Sequence, residues 1–142
     1  MPIIEQTGTD TGTLGRGRVS VAVGRYDFAV DGGTVGDITL RGDTIPSGAI
    51  ITDVLIRVDT VLTSGGAATV ALKAESAADL NAADAISGAP WSTTGAKRGD
   101  LTATTAPVLT TAARAIVATV ATAALTAGKF RVFVTYHVLG AA

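Results

Sequence analysis

At 142 residues, 47% apolar and 16% charged, with a formal net charge of −1, the chain has the length of one ordinary domain and no basic excess for a nucleic-acid face. It has no cysteine, which excludes disulfide frameworks, thiol nucleophiles and zinc–thiolate sites. No apolar run is long enough for a membrane-spanning helix, and Met1-Pro2-Ile3-Ile4-Glu5 lacks the basic and apolar regions of a secretory signal, so the expectation is synthesis in the cytoplasm without standard N-terminal export.

Residues 1–17 read as an extended arm. Thr7-Gly8-Thr9-Asp10-Thr11-Gly12-Thr13 has little to bury, and a small apolar tip, Pro2-Ile3-Ile4, precedes it. The alternatives are a frayed terminus and a tether that orders on a neighbour. Residues 18–142 then read as one β-domain. Arg18–Val23 alternates, and Tyr26–Val30 continues it past Gly24, a candidate bulge or bend. After the turn signal Asp31-Gly32-Gly33, Val35–Leu40 is a short strand, and Pro46-Ser47-Gly48 marks the next turn. Ile50–Leu62 is the strongest strand, with Val54, Ile56 and Val58 on one face and Asp53, Arg57 and Asp59 on the other. Beyond Ser64-Gly65-Gly66, Ala68, Val70, Leu72 and Ala74 face inward, opposite Thr69, Lys73 and Glu75.

Residues 76–86 are ambiguous: Ser76-Ala77-Ala78-Asp79 begins like a capping box, and the alanines favour a helical turn. The loop from Ser87 to Asp100 holds Trp91, the only tryptophan. Residues 113–125 could be helical by alanine content, but Val, Thr and Ile at 116–122 favour a strand with Ile116, Ala118 and Val120 on one side. Lys129–Leu139 closes the series, with Val132, Val134, Tyr136 and Val138 on one face and Arg131, Thr135 and His137 on the other. Seven to nine short strands with Gly-rich turns predict an all-β antiparallel sandwich, jelly-roll-like in preference to immunoglobulin-like. The chain carries 26 Ala, 22 Thr and 17 Gly but only six aromatics, so its core is light and gains much from oligomerisation or docking.

No residue pattern supplies a catalytic constellation, and no cofactor or metal is expected. His137 is the only histidine and sits in a strand, where a surface or interface role is the ordinary one. Asp79, Asn81 and Asp84 form the densest oxygen cluster, but their spacing is not that of an EF-hand loop and reads as caps and turns. A glycosidase would need two facing carboxyls, and there is no aromatic platform for a sugar. Gly12-Thr13-Leu14-Gly15-Arg16-Gly17 lacks the preceding strand and following helix of a phosphate loop. Arg41-Gly42-Asp43 matches an integrin-binding tripeptide and is expected on a turn, a match too short to carry a function. Trp91, within Gly88–Gly95, reads either as a loop anchor plugging the sandwich or as a partner contact, since aromatics dominate interface hot spots.

The stretch Ala78–Gly95, the ending Ala124–Phe133, Val35–Leu40 and the strand after Ile45-Pro46 resemble small virion proteins of tailed bacteriophages. The likeness covers roughly residues 26–136 and no catalytic motif anchors it. It implies a capsid decoration (cement) protein, a class often built as β-sandwich trimers on the outer shell. The first expectation is therefore a structural, non-enzymatic protein on the capsid exterior, assembled in the host cytoplasm. Its partners would be the major capsid protein and itself, as a homotrimer, with neither nucleic acid nor membrane involved. The contact residues expected are Pro2, Ile3, Ile4 and the arm through Leu14, with Trp91 as a further candidate. The alternative is a tail or head-fibre module recognising a host glycan or protein, which requires exposed aromatics grouped on one rim.

Overall fold

The computed structural model describes residues 18–101 and 107–138; the arm at 1–17, with Pro2, Ile3, Ile4 and Leu14, lies outside them, as do the glycine-rich run before Arg18 and Leu139. The elements are β1 (Arg18–Asp27), a single helical turn α1 (Phe28–Asp31), β2 (Gly36–Ile45), β3 (Ala49–Ser64) and β4 (Thr69–Lys73). They continue as β5 (Asn81–Ala85), β6 (Gly95–Arg98), β7 (Val108–Leu109), β8 (Arg114–Ala121) and β9 (Leu125–Val138). The expected all-β architecture is what forms. Every pairing is antiparallel, and the strand order is β5-β4-β8-β2-β1-β9-β3-β6, with short β7 beside β3.

This order is a long hairpin rolled on itself. With β7 set aside, the pairs are β1 with β9, β2 with β8, β3 with β6 and β4 with β5, nested outermost to innermost. The result is jelly-roll-like: β1-β9-β3-β6 forms one layer and β5-β4-β8-β2 the other. The two layers meet at a corner where β1 and β2 pair only at Gly24 with Gly42 and Arg25 with Arg41. Glycine is required there. A Cβ on Gly24 would lie 3.1 Å from Leu40 Cβ, and one on Gly42, whose φ is 129°, would lie 2.2 Å from the Val23 carbonyl oxygen. Gly24 was expected to mark a bulge or bend; it lies inside β1, where it admits the close approach of Leu40 and Ile116.

The core is the one that period-two alternation specifies. Val54, Ile56 and Val58 of β3, Ile116, Ala118 and Val120 of β8, and Val132 and Val134 of β9 are all buried in one core cluster. Val138 was expected to join them and is only half-buried, because it closes the last described row of β9, opposite Arg18 and Ala49. One end of the core is aromatic: Phe130 lies 5.1 Å from Tyr26 and 4.9 Å from Trp91, centroid to centroid.

Four local expectations are corrected. The strand pattern expected to continue through Tyr26–Val30 stops at Asp27, whose side chain caps the helical turn Phe28–Asp31 by accepting the Ala29 N–H. Residues 76–86 form turns and then β5, not a helical turn. Asp79 does cap, but backwards: its carboxylate accepts from the backbone N–H groups of Ala74, Glu75 and Ser76 at 2.7–3.0 Å. The loop from Ser87 to Asp100 carries a strand, β6. Arg41-Gly42-Asp43 lies within β2 and not on a turn. Arg41 donates to Asp31 at 2.9 and 3.2 Å, and Asp43 accepts the Val23 N–H at 3.0 Å.

Candidate interaction face

The layer β1-β9-β3-β6 buries one side and turns the other outward. In β1 the inward residues are Ala22, Gly24 and Tyr26, so Val19, Val21, Val23 and Arg25 point away from the core. Register places them beside outward residues of β9 and β3. Val23 pairs with Phe133, which pairs with Leu55; in the next row Arg25 pairs with Arg131, which pairs with Arg57. Nearer the start of β1, Val19 pairs with His137, which pairs with Ile50, itself beside Leu109 of β7.

Two properties of this face are unusual for a solvated sheet. The first is its apolar content. Val19 is 57% exposed, Val21 51%, Leu109 49% and Leu55 40%. Leu55, Ile56, Ala96 and Phe133, rimmed by Arg57 and Arg131, line a shallow hollow of about 320 Å³. The second is the arginine row. Like charges directly opposite one another in a sheet are destabilising, yet Arg25, Arg131 and Arg57 occupy three adjacent strands in one register. A single carboxylate relieves two of them: Asp59 accepts from Arg131 Nε at 3.1 Å and Nη2 at 3.0 Å, and Arg57 Nε lies 3.6 Å away. The hydrogen bonds from Arg131 hold the Asp59 carboxyl below the usual carboxylate range. Arg131 also sits 5.9 Å above the Phe133 ring centroid, a cation–π arrangement that joins the charged row to the apolar one. Arg25 has no ion-pair partner among the described residues; it lines a second hollow of about 240 Å³ with Arg41, Lys129, Arg131, Asp27 and Asp59.

The face is also biased in charge. It carries Arg25, Arg57, Arg98, Lys129 and Arg131 against Asp27, Asp53 and Asp59, an excess of two positive charges on a chain whose total is −1. The remainder of the chain is thus acidic. Elsewhere the ionisable groups are committed to the fold. Glu75 accepts from Arg114 Nε at 2.8 Å, Arg114 Nη2 at 3.2 Å, Thr111 Oγ1 at 2.7 Å and the Thr111 N–H at 3.1 Å. Those bonds, the Arg114 ones foremost, bring the Glu75 carboxyl down to about 2. Asp37 accepts from Lys73 and Thr119, both at 2.8 Å. Among the described residues no three histidines, cysteines or acids gather as metal ligands would.

Trp91 is not on this or any surface. It is 0% exposed, packed on Phe130, and its Nε1–H meets no acceptor among the described residues. Its side chain thus has the burial expected of a loop anchor. None of the six aromatics is among the exposed residues: Tyr26, Trp91 and Phe130 are buried, and Phe28, Phe133 and Tyr136 are half-buried. The rim of exposed aromatics required by a glycan-binding module is not formed. Sequence reasoning picked out neither Arg25 nor Leu55. The alternation put them on outward faces, but only the register across β1, β9 and β3 brings them together.

No protein-family model matches the sequence, and no curated protein matches it. Solved structures do match. A chain of the cyanophage Pam1 capsid asymmetric unit is 26% identical, over 87% of this chain and 86% of that one, with a TM-score of 0.59. A chain of the acid-stable capsid of Helicobacter pylori bacteriophage KHP30 is 16% identical, over 86% and 89%, with a TM-score of 0.59. A chain of the Ralstonia phage GP4 capsid is 18% identical, over 87% and 86%, with a TM-score of 0.56. The last two show a shared fold; the structural neighbours are all chains of phage capsids.

Proposed function

We propose that this chain is a structural, non-enzymatic virion protein that seats on the outer surface of a phage capsid and stabilises it as a decoration, or cement, protein. The observation that carries this reading is the similarity to the cyanophage capsid chain over nearly the full length of both. The half-buried and buried state of the aromatics favours it over a fibre module that recognises a host glycan. The physical task is to span joints between capsomers and hold several at once. Separate weak contacts then add, because each one after the first is effectively intramolecular. A homotrimer suits that task, and its motive is the apolar surface that a light Ala/Val/Thr core leaves outside.

In this reading residues 1–17 are a tether. Residues 1–15 carry too few apolar side chains to offset an ordering cost of about 1–2 kcal/mol per residue on their own. On the shell, Pro2, Ile3, Ile4 and Leu14 bury in a groove while the Thr/Gly backbone adds a strand to a sheet edge. Deleting residues 2–14 tests this. The melting temperature of the isolated domain stays nearly unchanged, while attachment to capsids lacking the protein weakens sharply. A large loss of stability makes the segment an ordinary part of the fold, and undiminished capsid binding removes it from the contact. Light scattering at high concentration tests the trimer; a monomer there rejects self-assembly away from the shell.

A further inference from the structure

We propose that the outward face of β1-β9-β3-β6 receives an acidic, apolar-bearing segment of a protein partner, with a carboxylate on Arg25 and Arg131 and an apolar side chain in the Leu55–Phe133 hollow. The inference rests on the decoration reading, which makes that partner the capsid shell. Two observations converge on it. The arginine row is a standing electrostatic cost that an incoming anion removes: Asp59 is already shared by Arg131 and Arg57, and Arg25 has no ion-pair partner among the described residues. The apolar hollow adjoins that row in the next register, which suits a peptide with alternating acidic and apolar side chains. A phosphate backbone would use the arginines and leave the hollow unfilled, so the pair of features favours protein over nucleic acid.

The test uses the full-length chain and capsids of the phage that carries it, purified without it. Arg25→Glu reverses a charge that makes no ion pair among the described residues, and Leu55→Asp alters an exposed position, so neither disturbs the core. Co-sedimentation of both variants with capsids falls by about tenfold or more, since like-charge contacts at interfaces are strongly unfavourable, while their melting temperatures match the wild type. Added salt weakens wild-type binding more than that of Arg25→Glu. Wild-type binding by both variants, with loss only on deletion of 2–14, overturns the face and leaves the decoration reading standing. Failure of the wild-type chain to bind overturns both. Variants that break up a self-assembled oligomer but keep capsid binding assign the face to a second copy, against the proposal. Arg25-dependent binding of duplex DNA assigns it to nucleic acid, equally against it.

Discussion

Trp91 offers the sharpest separation of a folding role from a binding one. Its side chain is 0% exposed and packs at a tilt against Phe130, yet its Nε1–H meets no acceptor among the described residues. Truncation to alanine removes a large buried aromatic and should cost about 3–5 kcal/mol. A domain of this size has a total stability of about 5–15 kcal/mol, so Trp91→Ala lowers the melting temperature by roughly 8–15 °C. Phenylalanine is different. It leaves a void on the order of 40 Å³, a cost of about 1 kcal/mol at ~24 cal/mol per Å³. It also removes a buried donor whose unmet desolvation costs about 1–3 kcal/mol. The two terms oppose one another, and Trp91→Phe should range from as stable as the wild type to about 2 kcal/mol more stable. Urea melts followed by far-UV circular dichroism measure both variants, since tryptophan fluorescence is lost with the residue. A loss of about 3 kcal/mol or more in Trp91→Phe would refute the argument, because the indole N–H must then be making a bond. Normal stability in Trp91→Ala with impaired assembly would return the residue to an interface.

Two further perturbations probe the core and the ion pairs. Val134→Asp places a charge without a partner at a fully buried position of β9, a penalty of several kcal/mol, and the chain should fail to fold; a soluble variant with a cooperative melt contradicts the register. Glu75 has its carboxyl lowered from 4.5 to about 2, so its contribution is fully present above pH 4.5 and is lost as the pH falls through 2. In that window Glu75→Gln should flatten the acid limb of stability measured by denaturant melts; an unchanged slope between those pH values means the Arg114–Thr111 cluster does not hold in solution.

The inward faces were legible because alternation is a local property. Val54, Ile56 and Val58, Ile116, Ala118 and Val120, and Val132 and Val134 are all buried where period two puts them. What stayed hidden depends on partners distant in sequence. Asn81–Ala85 is alanine-rich and has no strand signal of its own; it becomes β5 because β4 offers an edge, as at Thr69 with Ala85 and Val70 with Asp84. Arg41-Gly42-Asp43 looks like a turn by composition, yet Gly42 meets Gly24 at the layer corner, and that meeting requires a strand. The jelly-roll-like order was a preference that only the pairings resolve. The arginine row is the extreme case: each member sits in an unremarkable alternating strand, and the row exists only in the register.

The distribution of hydrogen bonds then bears on what the surface is for. All ten acids between Asp27 and Asp100 accept a hydrogen bond. Asp27 takes Ala29 N–H, Asp31 takes Arg41, Asp37 takes Lys73, Asp43 takes Val23 N–H, and Asp53 takes Arg98. Asp59 takes Arg131, Glu75 takes Arg114, Asp79 takes Ala74 N–H, Asp84 takes Asn81, and Asp100 takes Ala82 N–H. The anions are committed to strand edges, loops and cations, while a cation, Arg25, is left over on the face with the most exposed valine and leucine. An excess of that sign beside an apolar hollow is the arrangement that the proposed protein partner would meet with a carboxylate and an apolar side chain.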